Sequence, residues 1–233
     1  MRPSHNSTAL VLALVVATQA CAGARGRAPA PEPTSSGMAD LEALYRARQD
    51  SALRDVHPAD VEFMAGMIHH HAQALVMSAF APANGASPSV RTLAARIINA
   101  QTDEIANMQR WLRDRDQPAP EVDEAGTVRM PGGGAAGMHG EAHEMFMPGM
   151  LTAEQMRELE QARDSNFDRL FLTYMIQHHK GAVTMVHDLF ATDGAAQDDM
   201  VFKIASDIQV DQITEINRMQ QMLDALPAAP TSD

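Results

Sequence analysis

The chain has 233 residues, 45% of them hydrophobic but only 4% aromatic, and a formal net charge of −12. That length suffices for one or two domains with a sizeable core, and an apolar share rich in Ala, Leu and Met favours helix. The acidic balance excludes the basic footprint that nucleic-acid binding requires, and a single cysteine, Cys21, excludes an intramolecular disulfide.

Residues 1–21 read as a signal peptide. Arg2 supplies a positive start, residues 9–17 (ALVLALVVA) form an apolar run too short to span a membrane, and small residues follow. Cys21 stands where a bacterial lipoprotein is cleaved and acylated, although Thr18 occupies a position where Leu is usual; simple cleavage near Ala20 or Ala22 is the other outcome. The expected location is periplasmic or otherwise extracytoplasmic, with membrane attachment only through a lipid on Cys21. Residues 22–56 combine a small, Pro-rich tether (AGARGRAPAPEPTSSG, 22–37) with a polar helix from Asp40 to about Arg54.

A first helical hairpin is expected over residues 57–115. Its helices run over roughly 59–80 and 89–115, with Asp60 as N-cap of the first and the turn APANGASPS between them. Residues 116–150 form an irregular linker rich in Gly, Met and His, containing MPGGGAAGMHGEAHEMFMPGM. A second hairpin follows over residues 151–226. Thr152 and Gln155 make a capping box, and long helices are expected over roughly 165–191 and 197–225. No segment alternates convincingly with period two.

The two hairpins repeat one pattern. Asp60, Phe63, Met67, His70, His71, Ala74 and Met77 recur as Asp168, Phe171, Met175, His178, His179, Ala182 and Met185, at a constant offset of 108. The partner helices match at an offset of 111: Gln101, Glu104, Ile105, Met108, Gln109 and Leu112 against Gln212, Glu215, Ile216, Met219, Gln220 and Leu223. One amphipathic hairpin cannot cover its own apolar face, whereas two pack as a four-helix bundle, so 57–226 reads as one all-α domain.

On a helix, Asp60, Phe63, Met64, Met67, His70, His71, Ala74 and Met77 fall within an arc of roughly 140°. The inward stripe is thus apolar apart from its carboxylate and histidines. His69 lies on the opposite side, and its counterpart is Gln177. Gln101 and Glu104, like Gln212 and Glu215, interrupt the facing stripes, and buried polar groups need partners; the histidines are the expected ones. Imidazole beside thioether suits Cu(I). The donors expected from this pattern are Met67, His70, His71 and Met77 with Met175, His178, His179 and Met185, supplemented by Met108 and Met219. Glu104 and Glu215 would orient imidazoles by accepting their N–H bonds. In the linker, Met138, His139, His143, Met145, Met147 and Met150 form a candidate soft-metal capture segment, since Met is costly to leave in a solvated Gly-rich loop.

The pieces FMAGMIHHHAQALVM, QTDEIANMQRWL, MPGM, FDRLFLTYMIQHHKGAVTM and QITEINRM resemble the bacterial family called domain of unknown function 305, over about residues 57–225. The resemblance implies a ferritin-like four-helix fold, a secreted or envelope location, and, by analogy with some members, copper binding through Met and His.

The expected function is therefore that of an exported copper-binding protein, its ion being Cu(I), acting in sequestration or handover to an envelope copper-handling protein. A ferritin-like di-metal oxidoreductase is the rival from another class. It would use Glu-x-x-His motifs, where this chain has Gln101-x-x-Glu104 and Gln212-x-x-Glu215. A metal-free envelope interaction module with a structural His/Glu layer is the third reading.

Overall fold

Capping side chains set where three of the long helices begin, two of them with a proline in the first turn. The computed structural model describes residues 35–54, 56–131 and 147–227. Its contacts divide the chain into two units, Met1–Leu44 and Tyr45–Asp233. Of the first unit only the opening of helix α1 (Ser35–Arg54) is described, with Met38, Leu41 and Leu44 exposed. The second unit holds α2 (Pro58–Ala79), α3 (Pro88–Asp114), a two-residue hairpin β1 (Glu121–Val122) and β2 (Val128–Arg129), α4 (Ala153–Gln161), α5 (Asp164–Ala191) and α6 (Asp199–Asp224).

Helix α2 starts at Pro58, within a residue of the expected 59, but its cap is His57 rather than Asp60. His57 Nδ1 accepts from the Ala59 amide at 3.2 Å, and Pro58 occupies the first turn, where its missing N–H costs nothing. This leaves Asp60 inside the helix and buried, where it serves the other hairpin: its Oδ1 accepts from the Ala196 amide at 2.7 Å. Asp168 does the same in reverse, accepting from the Ser87 amide at 3.1 and 3.3 Å. Each hairpin therefore satisfies a backbone donor in the other's turn, which fixes α2 and α5 antiparallel and side by side. Thr152 and Gln155 close the expected capping box on α4. Asp198 caps α6 through the Met200 and Val201 amides.

The β1–β2 hairpin is absent from the sequence reading. It pairs Glu121 with Arg129 and Val122 with Val128, and Asp123 Oδ1 accepts from the Ala125 and Thr127 amides around Gly126, which has φ +78°. Two-residue strands held by an Asp-centred turn leave no period-two signature to read.

The bundle is all-α, with α2 paired to α3 and α5 to α6 and with α2 against α5 at its centre. Its apolar interior falls into two clusters. One joins Phe63, Met67, Met108, Leu112, Val186 and Ile208; the other joins Met77, Leu93, Ile97, Phe171, Met175 and Met219. Each fully buried Leu, Ile, Phe or Met contributes about 1.5–3 kcal/mol. These clusters offset the cost of what lies between them, a layer of polar side chains.

Candidate metal centre

That layer is built from the middle turns of α2 and α5. His70, His71, His178 and His179 are fully buried, and Gln101 and Gln212 nearly so. The His70 and His178 rings meet across the α2–α5 contact with centroids 3.8 Å apart and planes tilted by 42°. His71 and His179 turn outward from that pair to the partner helices. His71 Nε2 donates to Glu104 Oε2 of α3 at 2.6 Å, and His179 Nε2 donates to Glu215 Oε2 of α6 at 2.7 Å.

A third bond closes the layer from outside the bundle core. His70 Nε2 donates to the Pro148 carbonyl at 3.0 Å. Pro148 belongs to a strap, Met147–Leu151, that crosses α2 and α5. Gln73 of α2 clamps Leu151 from both sides, accepting from its amide at 2.7 Å and donating to its carbonyl at 3.1 Å. The strap sits directly on the α5 backbone at Gly181, where a Cβ would stand 1.9 Å from the Pro148 oxygen. Gly149, with φ +77°, makes the turn.

These bonds fix tautomers. A carbonyl or carboxylate only accepts, so Nε2 of His70, His71 and His179 carries a proton, and wherever the ring is neutral its Nδ1 is a bare lone pair. All three Nδ1 atoms are buried with no hydrogen-bond partner among the described residues. His178 lies near the backbone carbonyl of His70, yet neither of its nitrogens completes a hydrogen bond among those residues. Burial pushes the His70 imidazole down to about 3, with His71 adding to the effect and the Pro148 bond opposing it. Burial, then the neighbouring histidines, hold His178 far below the ordinary imidazole range. Burial also lowers His179, against the pull of Glu215. These three rings are therefore neutral at pH 7, the form that ligates metal. On the solvent side, burial and the carboxylates of Glu104, Glu215 and Asp207 raise Asp211 above its usual range.

An unpartnered buried polar atom costs about 1–3 kcal/mol. Four adjacent rings carry such atoms. The soft atoms are close by. Met67 and Met108 belong to one apolar cluster and Met175 and Met219 to the other, all four fully buried, and Met67 and Met175 lie one helical turn from the histidine pairs. Met77 and Met185 stand apart: each is six residues beyond the nearer histidine, about 9 Å along its helix. Met77 is packed within the second cluster, whereas Met185 is half-buried beside the strap. Met147 and Met150 are half-buried in the strap itself, and Met138, His139, His143 and Met145 lie outside the described residues, as does Cys21.

Two features differ from the sequence expectation. Gln101 does not pair with a histidine; its amide nitrogen and oxygen have no partner among the described residues, because the Glu one turn on takes the imidazole N–H. Nothing in the sequence pattern marks the strap and its glycines as positioning elements except Gly181, a helix-interior glycine where glycine costs about 1 kcal/mol against alanine. Among the described residues no group of three or more His, Cys, Asp or Glu, the four histidines included, has metal-holding geometry, so a site here would need thioethers to complete it. An imidazole–thioether donor set is what these residues offer.

A family model described as Domain of unknown function (DUF305) matches residues 60–223. The chain belongs to the DUF305 family. Solved structures similar to this DUF305 chain include a DUF305 protein of Streptomyces coelicolor assigned as secreted, at 25% identity and TM-score 0.59, covering 75% of this chain and 98% of the other. A DUF305 fragment from Deinococcus radiodurans has 29% identity and TM-score 0.58, covering 73% and 99%. CopM in its Cu(I)-bound form has 27% identity and TM-score 0.51, covering 71% and 95%. CopM also matches in Cu(II)-bound and Ag-bound forms. Among curated proteins, none matches the chain. Among the described residues of this DUF305 chain, no helix is long and apolar enough to cross a membrane.

Proposed function

We propose that the chain is an extracytoplasmic metal-binding protein that holds copper, as Cu(I), for sequestration or for handover to an envelope copper-handling partner. The observation that carries this reading is the set of buried imidazoles whose Nε2 protons are committed to Glu104, Glu215 and Pro148 while their Nδ1 atoms have no partner among the described residues. The donor chemistry fits a soft cation: imidazole from His70, His71, His178 and His179, with thioethers from Met67 and Met175 one helical turn away and from Met108 and Met219 on the partner helices. Bound copper would supply the positive charge that the buried lone pairs lack. Glu104 and Glu215 would hold the rings in the ligating tautomer and raise their basicity. The likeness to CopM in Cu(I)-, Cu(II)- and Ag-bound forms supports the same metal class. The short signal-like segment and the likeness to a protein assigned as secreted support export.

A competition titration under reducing conditions tests the metal. Preference for Cu(I) and Ag(I) over Zn(II) and Fe(II) is expected; equal or tighter Zn(II) binding would remove the thioethers from the site and the copper reading with them. Lipid attachment is tested separately. Cys21→Ser should release the chain from membrane fractions with its fold intact, and unchanged membrane association would exclude acylation at that residue.

A further inference from the structure

Two helix-interior glycines face the strap, and sterics explain only one. At Gly181 a Cβ would collide with the Pro148 and Gly149 backbone, so no other residue fits under the strap as it lies. At Gly66 of α2 a Cβ would stand 3.5 Å from Met185 Cε and 3.6 Å from Met147 Sδ. Those are ordinary van der Waals separations, so an alanine fits, and glycine is kept at a cost of about 0.8–1.0 kcal/mol in helix propensity. What Gly66 provides is an open, methyl-sized notch. Its rim carries the Met147 sulfur from the strap and the Met185 methyl, one bond from its sulfur, from α5.

We propose that Met147 and Met185 form a two-thioether site over Gly66 for a monovalent soft cation, Cu(I) or Ag(I), separate from the histidine layer. Thioether donors select soft d10 ions and offer little to Zn(II), Mg(II) or Ca(II). Both methionines are half-buried, so solvent reaches this site while it does not reach the four histidines. The notch also neighbours the layer. Gly66 precedes His70 by four residues, about 6 Å along the helix axis, and Met147 precedes Pro148, whose carbonyl holds His70. An ion over Gly66 is thus staged one helical turn from the buried imidazoles. The staging role rests on the soft-metal reading of that layer; the thioether site itself does not.

The test is Ag(I) titration of the full chain labelled at the methionine methyl carbons and histidine rings, followed by NMR. The Met147 and Met185 methyl signals should shift together at substoichiometric Ag(I). Gly66→Ala fills the notch without a clash and should fold at least as stably as the parent, yet weaken that joint shift by tenfold or more. Met147→Leu should abolish the response of Met185. Unmoved methionine signals, or a response in Gly66→Ala equal to the parent's, would overturn the proposal. Histidine signals separate the two readings: a ring response without a methionine response removes the notch site and keeps the layer, and the converse removes the layer and keeps the notch.

Discussion

Replacing Gly181 by Ala sets the strap against the helix beneath it. The new Cβ would lie 1.9 Å from the Pro148 oxygen, 2.4 Å from its carbonyl carbon and 2.7 Å from Gly149 Cα. All three are backbone atoms, so no rotamer change relieves the clash, and a normal contact needs about 3.5 Å. The strap has to lift. Lifting removes the Pro148–His70 bond and both Gln73–Leu151 bonds, each worth about 0.5–1.5 kcal/mol net. Alanine returns about 1 kcal/mol of helix propensity. The balance is a loss of about 0.5–3.5 kcal/mol, which urea denaturation would report as a lower midpoint at unchanged slope. Amide exchange localises it, since Leu151 should lose protection while the α2 core keeps it. A Gly181→Ala protein as stable as the parent, with Leu151 still protected, would refute the reasoning that the strap is wedged on α5 and tied to His70.

Glu104→Gln should lower copper affinity by about 10- to 100-fold, as expected when a carboxylate that orients a ligating imidazole is neutralised, and Glu215→Gln should do the same through His179; competition titration checks both, and unaltered affinity in the pair would assign the carboxylates to packing alone. Acid should destabilise the metal-free protein. Burial lowers the folded-state pKa of His70, His178 and His179 below the ordinary 6.5, so below that pH the unfolded chain binds protons that the folded chain refuses. Stability should therefore climb as pH rises from the His70 value of about 3 to the ordinary 6.5, by at most about 1.4 kcal/mol per unit from His70, with His178 and His179 acting in the same direction, and then level. Asp60 and Asp211, raised mainly by burial, oppose this slope above their ordinary 3.8. Fluorescence of the buried Trp111, the only tryptophan, follows the unfolding. Asp60→Ala should cost about 1–3 kcal/mol by orphaning the buried Ala196 amide, and a smaller loss in the same denaturation assay would mean that the turn rearranges.

Much of the bundle was legible because its signal is periodic. The stripes through Phe63, Met67, His70 and Ala74, and through Phe171, Met175, His178 and Ala182, marked the helices that meet at the centre, and Thr152 with Gln155 marked the start of α4 by local chemistry alone. The partnership of the histidines with Glu104 and Glu215 could be anticipated, since all four helices placed polar groups at the same depth. Asp60 misled for a physical reason: an Asp near a helix start reads as a cap, and only the tertiary fold reveals that its acceptor serves the Ala196 amide, 136 residues away. Pairing through Pro148 was equally hidden, because a backbone carbonyl has no side-chain signature. Gly66 and Gly181 look alike in sequence and differ only in what a Cβ would meet.

The most direct test of the histidine layer is nitrogen NMR of the imidazole rings during anaerobic titration with Cu(I). Nδ1 of His70, His71 and His179 should shift as the ion binds, while their Nε2–H signals persist on Pro148, Glu104 and Glu215. Histidine signals that stay fixed through copper saturation, or coordination through Nε2 with loss of those protons, would contradict the account.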